Sequence, residues 1–192
     1  MNGRRLKLLL ILGGLLFGAL AIVSWTQPWF ALTLQDGQRV EADGGVAAPA
    51  LSALGLASLA LVAALSIAGR VFRVVLGVLE TAIGVLVVVA ASVALGDPVA
   101  ASAQSVTDVT AMSGPDTIAA LVATVTATAW PYLAAAAGAL SAAVGVGVTV
   151  TSGRWPGATR KYETTAADDV TSTAGAWDAL SEGNDPTAPI SR

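Results

Sequence analysis

The chain has no cysteine and no histidine among its 192 residues, and only 12% of them are charged. Without cysteine it has no disulfide and no thiol chemistry. Without histidine it lacks a common zinc ligand and the commonest acid–base group. Soluble domains carry about 25% charged residues, so a chain that is 55% hydrophobic is typical of a protein covered by lipid. The net charge of −3 argues against a nucleic-acid partner.

Catalytic motifs are also missing. The sequence has no G-x-x-x-x-G-K-[ST] phosphate loop, no H-E-x-x-H and no G-x-S-x-G. Ser and Thr are plentiful, but there is no histidine and no suitable lysine to activate them. We therefore expect a protein that is not an enzyme and that holds no cofactor and no metal.

Long apolar runs dominate what is present, at 6–24, 47–68, 74–95 and 129–150. Each has about 20 residues, enough for a helix to cross a hydrocarbon core of about 30 Å. They predict an all-α integral membrane protein, with a four-helix transmembrane bundle in residues 1–152. The first run also has features of a signal peptide. It is longer than a usual h-region and is followed by three more runs, so we expect it to be retained.

Positive charge lies mostly on one side of these runs. Lys and Arg precede the first run, follow the fourth and occupy the connection 69–73, whereas the loops 25–46 and 96–128 contain only Arg39. The positive-inside rule then places both termini in the cytoplasm and the two loops outside the plasma membrane.

The first outer loop, 25–46, has the pattern of a small extracytoplasmic β-hairpin. Residues 29–34 are strand-like, Asp36-Gly37 is a two-residue turn signal, and 38–41 return. A two-stranded hairpin is only marginally stable on its own, so we expect it to pack against the helix ends or against a partner.

The second outer loop, 96–128, begins polar and then changes character. Ser113 and Asp116 have the spacing of a helix start. Apolar residues then follow at helical spacing. They are Ile118, Leu121, Val122 and Val125. The pattern predicts a short amphipathic helix leading into the fourth span, with Pro131 either in the first turn of that span or at a kink between the two helices.

Residues 153–192 have the polar composition of a disordered cytoplasmic tail. Trp177 and Leu180 form a small apolar island in this tail and are three residues apart, so they share one face of a helical turn. We expect them to dock a partner protein.

Glu80 lies inside the third run, and an ionisable residue there is a functional-site hypothesis by default. One interpretation is a proton or cation carrier. The other is structural, with Glu80 facing the bundle interior, being protonated, or reaching toward Arg73 and the interface. No second acid or base within the runs completes a relay.

Three tryptophans gather at the predicted outer boundary, namely Trp25, Trp29 and Trp130. They fit an aromatic belt among lipid headgroups, and alternatively a pocket whose rings stack on an aromatic or sugar ligand. In the first run, Gly14 and Gly18 form a G-x-x-x-G pattern, which favours close helix packing within the bundle or in a homo-oligomer.

The basic residues nearest the inner boundary are candidates for contact with anionic lipid headgroups. They are Arg70, Arg73 and Arg154.

Several local motifs together carry a family resemblance that covers essentially the whole chain. They are Ser24-Trp25, Gly69–Gly77, Thr128–Pro131, Gly153–Pro156, Arg160–Glu163 and Trp177–Thr187. With them the chain resembles the tryptophan-associated transmembrane proteins of actinobacteria, whose genes tend to lie beside tryptophan-biosynthesis genes. The resemblance implies a link to tryptophan metabolism and brings no catalytic residues with it.

Taken together, these features predict an accessory or adaptor protein that contacts membrane lipids and binds protein partners through its outer loops and tail. The alternative is a component of a transporter for tryptophan or a related small metabolite. Four spans are few for a complete transporter, so that alternative requires oligomerisation.

Overall fold

The computed structural model describes residues 3–154, which form a helical bundle with a small sheet at one end. In chain order its elements are α1 (Gly3–Trp25), β1 (Pro28–Leu34), β2 (Arg39–Asp43), α2 (Gly44–Ala47), α3 (Ala50–Ile67), α4 (Arg70–Gly96), α5 (Pro98–Ala101), α6 (Ala103–Thr110), α7 (Pro115–Leu121), β3 (Val122–Ala127), α8 (Trp130–Thr151) and a 3₁₀ turn (Ser152–Arg154). Among these residues, four helices are long and apolar enough to cross a membrane, namely α1, α3, α4 and α8. The predicted helical membrane fold is confirmed.

The long helices form a ring in which each packs against two neighbours. Helix α4 packs most extensively against α8, α1 packs against α3 and α8, and α3 closes the ring against α4. Because consecutive helices connect at alternating ends, neighbours in the ring run antiparallel. We call the end that carries the strands the sheet end. The opposite end, where Lys7, Arg70 and Arg73 lie, is the arginine end.

The connection at the arginine end is shorter than the sequence predicts. Helix α4 begins at Arg70, not near Val74, and Gly69 is its N-cap residue. The backbone N–H of Arg73 already donates to the carbonyl of Gly69 at 2.9 Å. Arginine is a good helix former, so its charge ends the apolar run without ending the helix. At the sheet end, Pro131 lies in the first turn of α8, the first of the two predicted alternatives.

Gly14 and Gly18 are buried inside the ring. A Cβ at Gly14 would lie 2.6 Å from Val62 Cγ2, and one at Gly18 would lie 3.0 Å from Leu59 Cδ2. The two glycines therefore allow α1 to approach α3 within one chain. A second copy cannot reach them without displacing α3.

Strands β1 and β2 form the predicted hairpin, with Leu32 opposite Val40 and Thr33 opposite Arg39. Its loop differs from the predicted two-residue turn. Leu34 N–H donates to the Gln38 carbonyl at 2.8 Å, which leaves the three residues 35–37 in the loop. The last of them, Gly37, has φ +86°, a conformation that glycine adopts without a steric penalty.

The predicted short amphipathic helix after Ser113 is present only as far as Leu121, and its predicted continuation through Val122 and Val125 is wrong. Helix α7 ends at Leu121, and Val122–Ala127 form strand β3, which pairs with the free side of β1 so that Val125 lies opposite Leu32. Within the described residues the sheet therefore has three antiparallel strands in the order β2-β1-β3. The Val and Thr residues of this segment favour a strand because their side chains are β-branched. The spacing of its apolar residues also matches a helix, and only the pairing with β1 decides between the two.

The N-terminus of α7 also differs from the prediction. Its cap residue is Gly114, with φ +105°, and no side chain makes a capping hydrogen bond. Pro115 occupies the first turn, where its missing N–H costs nothing. The polar beginning of this loop is helical too, as α5 and α6. There the Asp97 carboxylate accepts from the N–H of Ala100 at 3.0 Å and caps α5.

One face of the sheet packs into a hydrophobic core at the sheet end, and the other is exposed. Phe30 and Leu32 of β1 are buried together with Val106 of α6 and Ile118 of α7. The alternation of side chains along a strand puts the threonines of β3 on the opposite face. The short helices thus cover one side of the sheet and leave the other open.

Candidate functional site

Glu80 lies at the centre of the helical ring and has no exposed surface. Its Oε1 accepts hydrogen bonds from Ser58 Oγ of α3 at 2.6 Å and from Ser141 Oγ of α8 at 2.5 Å. Its Oε2 is buried and has no hydrogen-bond partner in the described part of the chain. Each of the three residues lies about ten residues, or about 15 Å, from the arginine end of its helix, which is near the middle of a bilayer core.

Glycines bring the backbones of α4 and α8 into contact on both sides of this cluster. A Cβ at Gly84 would lie 2.5 Å from the carbonyl oxygen of Gly138. Toward the arginine end, a Cβ at Gly145 would lie 2.6 Å from the carbonyl oxygen of Gly77. Real side chains need more room, so neither position accepts one without separating the helices. The Glu80–Ser141 contact is therefore held between two closely packed backbone crossings.

The void beside this cluster is small. Ser58 and Ser141 help to line a cavity of about 10 Å³. A volume of that order holds at most about one water molecule. The arrangement thus fits a fixed polar contact between helices better than a passage for a metabolite.

The tryptophans predicted as an aromatic belt, or alternatively as a ligand pocket, lie at the joint between the bundle and the sheet. Trp29 is completely buried, and its indole N–H donates to the carbonyl of Ser24 at 2.8 Å. The Ser24 hydroxyl donates to the carbonyl of Trp130 at 2.7 Å, which ties α1 to α8. Trp29 therefore has no surface with which to stack on a ligand, whereas Trp25 and Trp130 remain partly exposed.

Trp25 and Trp29 both approach α2. A Cβ at Gly44 would lie 2.7 Å from the carbonyl oxygen of Trp25 and 2.8 Å from Trp29 Nε1. Glycine at this position lets the chain after β2 pass close to the end of α1. The Trp25 indole nitrogen is enclosed and has no hydrogen-bond partner among residues 3–154.

The arginines predicted to meet lipid differ in exposure. Arg73 is only 4% exposed, and its Nε donates to the carbonyl of Ala68 at 2.8 Å. Lys7 Nζ donates to the carbonyl of Ser66 at 2.9 Å. These two cations bind carbonyls at the C-terminal end of α3, where a helix carries partial negative charge. Arg73 thus presents little surface to headgroups, whereas Arg70 is exposed.

Two parts of the prediction concern residues that the structure does not describe. Trp177 and Leu180, with the rest of the tail from residue 155, lie outside the described residues. The Arg154 side chain also lies outside the described part of the structure.

A groove at the sheet end is the feature that sequence reasoning missed. It has a volume of about 790 Å³ and lies between α5 and α6 on one side and α7 and β3 on the other. The residues that line it include the apolar side chains of Val99, Ala103 and Ile118 and the carboxylates of Asp97 and Asp116. The sequence signal that could have revealed this groove is the strand propensity of Val122–Ala127. The groove forms only if that segment pairs with β1.

The four apolar helices and the buried intramembrane cluster define a multi-pass membrane protein. The chain belongs to the family of tryptophan-associated transmembrane proteins, since the model of that family matches residues 7–187. No curated protein and no solved structure matches the chain in comparison.

Proposed function

We propose that this protein is a non-enzymatic accessory or adaptor protein of the plasma membrane, which docks partner proteins through its sheet end and its tail. The observation that carries the proposal is the contrast between the two regions. The sheet end has a groove of about 790 Å³, whereas the cavity at the mid-bundle serines measures about 10 Å³. In this proposal the bundle is the anchor and the sheet end is the binding surface, and the family membership adds a link to tryptophan metabolism.

We propose that the protein does not catalyse a reaction, and its composition and geometry support this part of the proposal. With no Cys or His in the sequence, the buried carboxylate of Glu80 is the strongest remaining candidate for an acid–base group. Its Oε1 already accepts from two serine hydroxyls, and within residues 3–154 the cavity that those serines line measures about 10 Å³, too small for a substrate. Catalysis needs an accessible reacting atom within about 3 Å of such a group.

We infer further that the arginine end and both termini face the cytoplasm. The charge distribution supports this orientation, because Arg39 is the one Lys or Arg within the two sheet-end segments 26–49 and 97–129. The absence of native cysteine makes the test direct. A membrane-impermeant maleimide should label Gln35→Cys, in the hairpin loop, on intact cells and should label Gly69→Cys only after permeabilisation. Labelling in the reverse pattern would overturn the orientation.

Arg70 and Arg154 are the cations that we propose to contact anionic headgroups in this orientation. Arg70 is exposed at the start of α4. Its guanidinium lies close to the end of α8, since a Cβ at Gly153 would be 3.2 Å from Arg70 Nη2. Anionic lipid attracts such a juxtamembrane charge by about 1 kcal/mol.

Partner docking is tested by affinity purification of the crosslinked protein in mild detergent. The full chain and a chain lacking residues 164–192 should capture different proteins if the tail binds partners. Identical capture would exclude docking by the tail and leave the sheet end as the candidate surface. If both forms capture nothing above an unrelated four-span control, the adaptor function is wrong.

A transporter component is the second candidate, and the buried Glu80 favours it. A carboxylate oxygen without a partner in the middle of a membrane is a feature of proton-coupled and cation-coupled carriers. Uptake of labelled tryptophan in cells carrying the wild type, Glu80→Gln or no copy of the gene separates the two functions. Equal uptake in all three excludes transport of tryptophan, and lower uptake in the latter two contradicts the adaptor proposal.

A further inference from the structure

The two edge strands of the sheet have opposite chemistry. Strand β2 carries three charged residues, namely Arg39, Glu41 and Asp43. Strand β3 has the sequence VATVTA, without charge or proline, and most of it is exposed. Charged residues on an edge strand discourage pairing with another chain, whereas uncharged Val and Thr residues favour it. The sheet is therefore protected along β2 and open along β3.

The register shows which backbone groups of β3 are available. Thr128 N–H donates to the carbonyl of Trp29 at 2.8 Å, and hydrogen-bonded pairs alternate along an antiparallel ladder. Thr124 and Thr126 therefore bond to β1, whereas the N–H and C=O groups of Val125 and Ala127 point away from it. Neither of these residues has a backbone partner outside the ladder in the described chain.

The groove at the sheet end opens beside this edge and is acidic. Val122 to Val125 form one of its walls, and Asp97 and Asp116 are its charged residues. Among residues 3–154, neither Lys nor Arg lines it. A strand that pairs with Val125 and Ala127 would direct alternate side chains toward this acidic, partly apolar space.

We propose that β3 is a docking edge for an extended, basic segment of a partner protein, which adds a fourth strand to the sheet. The backbone of Val125 and Ala127 supplies the pairing, and the carboxylates of Asp97 and Asp116 select a lysine or arginine side chain. This inference rests on the proposed adaptor function and specifies the surface and the chemistry of the partner.

The proposal is tested with synthetic peptides and the purified full chain in detergent micelles. The probe alternates Thr and Val between terminal lysines, and its matched control carries terminal glutamates. We expect the lysine probe to bind at least about tenfold more tightly than the glutamate control, because like charges across an interface are costly. N-methylation of alternate residues of the lysine probe should abolish binding, because it removes the pairing N–H groups.

Substitutions in the protein separate strand addition from simple charge attraction. Ala127→Pro removes an outward N–H and leaves the β1 ladder intact, so it should weaken binding of the lysine probe by about tenfold. Asp116→Asn should weaken the lysine probe and not the glutamate control. Asp36→Asn makes the same change of charge in the hairpin loop, away from the groove, and should have no effect. If Ala127→Pro unfolds, Ala127→Lys tests the same edge by repelling the lysine probe, and its effect counts for strand addition only if the N-methylated lysine probe also fails to bind the wild type.

Several results would overturn the docking edge. Equal binding of the two peptides removes the selection for basic residues, and unchanged binding by Ala127→Pro and Ala127→Lys removes the edge. If no peptide binds and the protein forms a dimer that Ala127→Pro dissociates, the occupant of the edge is a second copy. The adaptor function stands or falls separately, by whether the full chain captures any partner above the unrelated four-span control.

Discussion

Replacing Gly84 by alanine should destabilise the bundle strongly, although it adds only a single methyl group. A Cβ at Gly84 would lie 2.5 Å from the carbonyl oxygen of Gly138, whereas ordinary van der Waals contact begins at 3.4 Å. The atoms it meets are backbone, so they cannot rotate away, and α4 and α8 must separate locally by roughly 1 Å.

The cost follows from two effects of that separation. Forcing an extra methyl group into a packed interface costs about 1–3 kcal/mol. The same shift moves Ser141, three residues along α8 from Gly138, away from Glu80, and the loss of that hydrogen bond adds about 1 kcal/mol. We expect the free energy of unfolding to fall by about 2–4 kcal/mol.

The same helix provides a matched control. A Cβ at Gly96, the last residue of α4, meets nothing within 4 Å. Gly96→Ala should therefore be neutral, or stabilising by less than about 1 kcal/mol because alanine favours the helix. Unfolding by sodium dodecyl sulfate in dodecyl maltoside micelles, followed by circular dichroism, compares the two variants. Equal stability of the two alanine variants would refute the close backbone packing of α4 and α8.

Further substitutions test the other buried contacts by the same unfolding measurement. Ser58→Ala should cost about 1–3 kcal/mol, since it removes one of the donors to Glu80, and a cost near zero would show that the hydrogen bond contributes nothing. Trp29→Phe removes a buried indole N–H bond and leaves a gap, so it should cost about 1–4 kcal/mol and should change the near-ultraviolet circular dichroism. Arg73→Leu should destabilise clearly more than Arg70→Leu, because Arg73 is buried against the end of α3 and Arg70 is exposed. Equal effects of the two leucine variants would contradict that assignment.

The sequence predicted the parts of the fold that depend on local patterns. Apolar runs of membrane length identified α1, α3, α4 and α8, and the strand-like residues with Asp36-Gly37 identified the hairpin. Strand β3 was missed because its pairing is not local. Leu32 and Val125 face each other although about ninety residues separate them, and Val122 and Val125 also match helical spacing.

In the candidate sites, too, the sequence predicted what depends on local patterns and missed what depends on packing. Glu80 was identified because an acid among apolar residues is conspicuous. Its partners Ser58 and Ser141 were not, because serine is common in membrane helices and only packing reveals which ones meet the carboxylate. Trp29 was predicted at the boundary, but its complete burial depends on how the sheet rests on the bundle.

In the proposed function, the sheet end binds partners while the bundle serves as an anchor. The most direct test compares the proteins captured by the wild type, Ala127→Pro and Glu80→Gln, each folded and crosslinked in the membrane before purification. We predict that Ala127→Pro loses partners that the wild type and Glu80→Gln retain. Unchanged capture by Ala127→Pro, or lost capture by Glu80→Gln, would contradict this division of roles between the sheet end and the bundle.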